Sequence, residues 1–550
     1  MSESVVRDKM DVGWDGNPAA SAPDRNGGIA IPPYTQKTLG VLILALLAFA
    51  ALSAWAAIAS DGFVEADGCT HYLYARFAVD HPYLLVNVWA RPLITCINAL
   101  PAYYGGRLAV RFTSLAIGLV CAAAAYRIAV NQKYRLPVIA AIFLFAQPLF
   151  FIHSFSELTE LPFAMVVILA FWAYQKRMWM VMTVLISITP LGRPEGFGFL
   201  LAAAFALLCH RKWWWILTLP LPLVLWSWVG WVAYGLPPDM KWYQWLIRNW
   251  PYEANSNYGS GPIYHYVRYL PFIVGPMLVP ATVFGAWWCM FRNDEVGTMN
   301  DERNSSFIHR SSFIVHRLFS SDHTRRCDFV IAALPLGILL THTVFWFFGK
   351  FSGGELRYLL VVGPFWALTA ARGWEYICWN LSARATILSA IALAVLPAFA
   401  NITYTYAPGG SATKSFHTFF VPVDYVRPER IAQRITRWYQ SDAEAQQRFP
   451  KILSPEPTLF YMMDLCPSGD PAVVTWLRST VEDPPPGTLI VIEPILTTFN
   501  SNKQMILNPD SVERGKWVKF KEFEDGWVIY LSPKDAAGRD VTADSLNTSP

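Results

Sequence analysis

The chain is 550 residues long, 54% hydrophobic and only 15% charged, against about 25% charged in an ordinary soluble domain, so a single water-soluble globule is excluded. Its net charge of +4 is spread without a dense basic stripe, which argues against nucleic acid as a partner. Eight scattered cysteines show no CxxC and no Cys/His ligand spacing, so neither a zinc site nor a disulfide framework is indicated.

Residues 1–37 are polar and lack periodic apolar positions. They are too long and too polar for a signal peptide, so a disordered leader is expected, with the first apolar segment retained as an anchor. A spanning helix needs roughly 20 apolar residues, fewer when its ends snorkel or lie buried in a bundle. Eleven segments fit, near 38–60, 107–130, 136–152, 161–175, 178–191, 196–209, 213–235, 271–291, 329–349, 358–373 and 384–406. Numbering the turns alternately puts Lys133/Arg135, Lys176/Arg177, His210/Arg211/Lys212 and the loop 292–326 on one side, which is cytoplasmic by the positive-inside rule. The N-terminus falls on that side too. The opposite side receives the loops 61–106 and 236–270, with Glu65/Asp67, Glu157/Glu160, Arg193/Glu195 and Glu355/Arg357.

Residues 407–535 contain no spanning segment and read as a small outward-facing α/β domain. An amphipathic helix is expected over 427–446, a buried strand at Leu489–Ile492, and a hairpin joining Lys516–Phe523 to Trp527–Leu531. A disordered tail is expected over 536–550. The near-duplication SSFIHR/SSFIVHR in the loop 292–328 is too short for a repeat architecture.

The charged residues of the outward turns carry the chemistry. The run FVEADGCTHYLYARFAVDHPYLLVNVWARPL (63–93), the Thr159-Glu160 step in FSELTELPF, the Arg193-Pro194-Glu195-Gly196 turn and the Arg357-Tyr358 step follow one another in order on one side. This series resembles the GT-C membrane glycosyltransferases, particularly bacterial relatives of the protein mannosyltransferase and aminoarabinose transferase type. In that family an acidic pair follows the first helix; here the second acid aligns with Asp67, and Glu65 is displaced by one position from the first.

The resemblance, which covers most of 60–375, implies an α-helical polytopic protein of the bacterial inner membrane; the small C-terminal α/β domain stands outside it. It implies transfer of a sugar from a polyprenyl-phosphate donor to an outer-face acceptor (protein, lipid or glycan), with inversion. Asp67 and Glu65 would be the catalytic acids. Arg193, Glu195, Glu160, Arg357 and Tyr358 would bind substrate, and membrane lipids would surround the whole. His265, between two tyrosines in the aromatic loop 236–270, joins them as an expected phosphate or sugar contact.

Other readings stay open for each residue. Asp67 fits a helix cap, Glu160 and Glu195 fit helix first turns, and the arginines fit snorkelling to headgroups. No cofactor is expected. A divalent cation near Glu65, Asp67, Glu157 and His71 stays open, although their spacing matches no dedicated cage. For the chain as a whole, a lipid-linked sugar flippase and a catalytically inactive scaffold are the alternatives. The polar groups gather at one surface rather than mid-helix, and no internal repeat is evident, which favours an enzyme.

Overall fold

The computed structural model describes residues 33–59, 66–235, 240–251, 259–291, 322–351, 353–396, 401–405, 413–417, 426–454, 456–466, 470–475, 484–493, 509–523, 526–542 and 546. The N-terminal two-thirds is helical: α1 (Pro33–Ala59), α2 (Ala66–Phe77), α3 (Pro92–Asn131), α4 (Val138–Phe145), α5 (Pro148–His153), α6 (Glu160–Gln175), α7 (Trp179–Ser187), α8 (Gly196–Cys209) and α9 (Leu221–Tyr234) come first. Further helices follow at Val279–Phe291, His323–Phe347, Gly363–Ile377 and Ala383–Val395. Helix α1 starts inside the expected leader, whose residues 1–32 lie outside the described residues.

Four helical stretches among the described residues are long and apolar enough to cross a membrane: Thr38–Ala59, Pro92–Asn131, Trp213–Tyr234 and His323–Phe347. Shorter apolar helices of 10–17 residues stand at five more of the eleven expected segments: Glu160–Gln175, Trp179–Leu191, Gly196–Cys209, Pro276–Phe291 and Ala383–Val395. The segment 136–152 is divided because the residue before Pro148 cannot stay helical; Gln147 takes an extended conformation (φ −74°, ψ 117°) and separates α4 from α5. Residues 401–405, expected at the end of the last span, form instead a strand, β1 (Asn401–Thr405), paired antiparallel with β2 (Thr413–His417). Helix α3 begins well before the expected residue 107. It bends at Gly106, whose φ of 61° is one that glycine adopts without strain.

The core of the helical body is made by α4 and α6, which are apolar around nearly their whole circumference, together with Gly363–Ile377, which neighbours enclose along most of its length. Close backbone approach helps to lock it. A Cβ on Gly285 would sit 1.9 Å from the Thr369 carbonyl oxygen, and one on Gly373 would sit 1.9 Å from that of Ala281. Only glycine lets these two helices touch so closely.

The C-terminal domain is a five-stranded mixed sheet made from β3 (Lys451–Leu453), β4 (Val473–Thr475), β5 (Thr488–Ile492), β6 (Val518–Glu522) and β7 (Val528–Leu531), in the order β4-β3-β5-β7-β6. Strands β3, β4 and β5 run parallel, and β7 and β6 complete the sheet antiparallel. The central strand β5 is the apolar run seen in the sequence, and the β6–β7 pair is the expected hairpin. The amphipathic segment forms two helices, Val426–Ser441 and Ala443–Arg448. They break where Asp442 caps the second one by accepting from the Ala445 N–H.

Part of the expected tail is folded. The buried Asp535 carboxylate accepts from Arg448, Arg539 and the N–H groups of Ala537 and Arg539, and Val541 and Leu546 are buried.

Candidate functional site

The site is assembled from four short pieces of chain that meet where α2, α6 and α8 begin. Helix α2 carries Asp67 in its first turn. The connection after it is pinned beneath the helix. Asn87 Oδ1 accepts from the N–H groups of Trp89 (2.9 Å) and Ala90 (3.1 Å), and His71 Nδ1 lies 3.2 Å from the Ala90 carbonyl oxygen. The His71 ring stacks on Trp89 at 4.9 Å. Burial lowers the His71 pKa to about 4, so the ring is neutral at physiological pH and donates to that carbonyl.

A continuous chain of alternating charges follows. Arg357 Nη2 donates to Asp67 Oδ2 at 2.5 Å, and Arg357 Nε lies 3.7 Å from Glu160 Oε1. Glu160 Oε1 accepts from Arg193 Nη1 at 2.7 Å, and the same nitrogen donates to Thr159 Oγ1 at 2.7 Å. The other edge of the Arg193 fork holds Glu195, with Nη2 to Oε1 at 2.9 Å. Three carboxylates thus face two guanidinium groups. The Glu160 side chain is only 1% exposed, and that of Asp67 is 44% exposed. Partial burial opposes ionisation of Asp67, but the Arg357 guanidinium outweighs it and holds the carboxyl below its usual range. Asp67 is therefore ionised, and its better-fixed oxygen is masked by Arg357.

Tyr358 floors this chain. The Arg193 guanidinium carbon is 5.4 Å from its ring centroid and that of Arg357 is 5.9 Å away, within cation–π range. The opposite contact of Tyr358 is His342, whose ring stacks on it at 5.1 Å. His342 Nε2 lies 3.6 Å from Glu195 Oε1, beyond hydrogen-bond range, and neither ring nitrogen has a hydrogen-bond partner among the described residues.

The structure therefore brings together six of the expected residues: Asp67, Glu160, Arg193, Glu195, Arg357 and Tyr358. Glu65 lies outside the described residues. His265 stands apart: it is buried, donates from Nε2 to the Gly354 carbonyl oxygen at 2.8 Å and sits against Trp346 at 5.4 Å. Its contacts pin the segment leading to Arg357.

His342 was missed by the sequence reading. The signal was present, since an ionisable side chain inside an apolar 25-residue helix is costly and marks function by default. Arg111 was missed for a different reason: it lies within the long helix α3 and its partner is remote. Its Nε donates to Glu157 Oε1 at 3.1 Å.

An open apolar cavity of about 780 Å³ is lined by residues that include Pro92, Ile188, Leu191, Leu225, Trp228 and Trp242. Pro92 follows the buried Arg91, and Leu191 is two residues from Arg193. One wall of the cavity thus runs directly into the charged turn.

Among the described residues no three His, Cys, Asp or Glu side chains converge as a metal site. The described acids of the cluster are directed at guanidinium groups. None of the eight cysteines forms a disulfide among the described residues, and Cys69 is buried while Cys96 is exposed.

No protein-family model matches the chain, and no curated protein matches it. Among solved structures it is similar to two crystal structures of ArnT from Cupriavidus metallidurans. The one bound to undecaprenyl phosphate is 11% identical, with 91% of this chain and 98% of that chain covered and a TM-score of 0.47. The one in the apo state is 12% identical, with 90% and 98% covered and a TM-score of 0.47.

Proposed function

We propose that this protein is a membrane glycosyltransferase of the GT-C type, which moves a sugar from a polyprenyl-phosphate donor to a hydroxyl acceptor on the outer face of a bacterial inner membrane. In this reading the shorter apolar helices join the four long ones in crossing the bilayer, and the C-terminal domain lies outside. The observation that carries the proposal is the buried chain Asp67–Arg357–Glu160–Arg193–Glu195 at the edge of an apolar cavity. A lipid phosphate has the same two parts, an anionic head and an apolar tail, and such a cavity takes the tail while the Arg357 guanidinium takes the head.

The chemistry divides among these residues. As the bond between the anomeric carbon and the phosphate oxygen breaks, its electron pair stays on the phosphate, whose added charge a guanidinium stabilises. The acceptor oxygen attacks the opposite face of the anomeric carbon and loses its proton to a carboxylate, which inverts the configuration. Asp67 is the carboxylate for that task, because it is the most exposed acid of the chain and lies at its outer end.

Arg357 couples the two events. Arg357 pairs with Asp67; a phosphate competing for the same fork draws it away and leaves Asp67 free to accept a proton only when donor is bound. Arg193 has both edges of its fork occupied by Glu160 and Glu195, so its part is to hold these acids in place. Glu160 in turn orients Arg357.

The test is release of polyprenyl phosphate from a panel of polyprenyl-phosphate sugars supplied with acceptors. Wild type should release it, and Asp67→Asn, which is nearly isosteric, should lose about a hundredfold or more of the rate with the same yield of folded protein. Binding of donor without release in both forms would refute the enzyme and favour transport.

A further inference from the structure

Helix Pro457–Met463 of the C-terminal domain is buried along almost its whole length, with Thr458, Leu459, Phe460, Tyr461 and Met463 all enclosed. Glu456 caps its start, and Asp464, in a left-handed conformation (φ 54°), ends it. It lies against α2, the helix that bears Asp67. Asp464 accepts from Arg76 Nε at 3.2 Å and Nη2 at 3.0 Å, Cys69 Sγ is 3.8 Å from Thr458 Oγ1, and the Tyr72 and Tyr461 rings meet edge to face at 5.0 Å.

Tyr461 also reaches past α2. Its hydroxyl donates to Glu157 Oε1 at 3.0 Å, the oxygen that also accepts from Arg111 Nε at 3.1 Å. Glu157 and Tyr461 are each 2% exposed. Glu157 stands three residues before Glu160, and the residues between lead to Thr159 and Glu160, which hold Arg193. One side chain of the extramembrane domain therefore touches the helix that presents Asp67 and the turn that presents Glu160.

We infer that Tyr461 is a positioning residue for the site: through its ring on Tyr72 and its hydroxyl on Glu157, the C-terminal domain fixes α2 relative to the Ser154–Glu160 turn. The physical argument lies in what the two acids share. Asp67 and Glu160 come from different elements yet face one guanidinium, Arg357. That arrangement persists only while α2 and the turn keep their relative position. Leu459 and Phe460 share an apolar core with Tyr72 and Leu73 of α2, but such packing carries no directional information. A buried phenol hydroxyl is costly unless satisfied, and here its acceptor is the carboxylate that α3 also grips through Arg111. The hydroxyl thus sets where docking stops. The role of Tyr461 in transfer rests on the proposed function; its role in holding α2 does not.

Full-length wild type and Tyr461→Phe, in detergent micelles or nanodiscs, should be compared by hydrogen exchange and by donor turnover. Exchange is expected to rise about tenfold in 66–77 and 154–160, with the sheet segments 488–492 and 528–531 unchanged. Turnover should drop by a similar factor while the donor KM stays within about twofold, since the phenol does not touch the donor. Glu157→Gln should lower turnover as well, and the double variant should fall no further than the more affected single one. Unchanged exchange in 66–77 overturns the inference. Faster exchange throughout the sheet overturns it equally, because Tyr461 would then serve only the stability of its own domain. A wild type that turns over no donor refutes the proposed function instead, and the exchange comparison still decides the role of Tyr461.

Discussion

Glu456→Gln should strengthen the C-terminal domain at alkaline pH, a sign opposite to that of most substitutions of a buried residue. Glu456 is 4% exposed. Burial, with the neighbouring Glu493 adding repulsion, raises its pKa from 4.5 to about 7, against the lowering influence of its hydrogen bonds from the Thr458 N–H and hydroxyl. In an unfolded or undocked chain the group returns to its ordinary value. The folded state therefore holds the proton over a range in which the open state has released it. Its stability is greatest below about pH 4.5, falls as pH rises through the window from 4.5 to about 7, and is flat above.

A shift of about 2.5 pH units corresponds to about 3 kcal/mol, or a change of roughly 300-fold in the opening equilibrium. Glutamine keeps an oxygen to accept from Thr458 and carries no charge, so the variant should lack this slope. The assay is hydrogen exchange of the amides in 457–463, variant against wild type at equal pH, which cancels the intrinsic pH dependence of exchange. Protection in the variant should exceed that of wild type by about two decades at pH 8 and by less than one decade at pH 5. Equal protection at pH 8, or faster exchange in the variant there, would refute the reasoning.

Arg193→Met should lose about 3–5 kcal/mol, because it leaves Glu160 and Glu195 ionised without their main partner; the yield of monodisperse protein after mild heating reports it, and adding Glu160→Gln should recover part of the loss. His342→Leu is expected to keep or raise thermal stability, since it replaces a ring whose nitrogens are unsatisfied among the described residues, while lowering donor turnover. Equal turnover would remove His342 from the site. Cysteines introduced at positions 300 and 430 should be labelled by impermeant reagents only from the cytoplasmic and only from the outer side respectively; the reverse would place the charged cluster on the wrong face for the proposed reaction.

Much of the site was legible in the sequence because membrane chains use charge sparingly. With 15% charged residues, an acid or arginine in a short turn between apolar segments stands out, and Asp67, Glu160, Arg193, Glu195 and Arg357 were found that way. The hydrophobic run of β5 and the amphipathic helix after 426 were legible for a similar reason, since period and polarity are local properties.

What only the tertiary structure decided is partnership and length. No spacing rule tells that Arg357 shares itself between Asp67 and Glu160, that Glu157 is gripped by Arg111 and by Tyr461 some 300 positions away, or that His265 spends its ring nitrogen on a backbone carbonyl. Helix length escaped for a related reason. Apolar composition says that a segment avoids water, but lipid and the interior of a helical bundle satisfy that demand equally. The short enclosed helices were therefore set by their neighbours, whereas the break at Gln147 follows from Pro148 and is local.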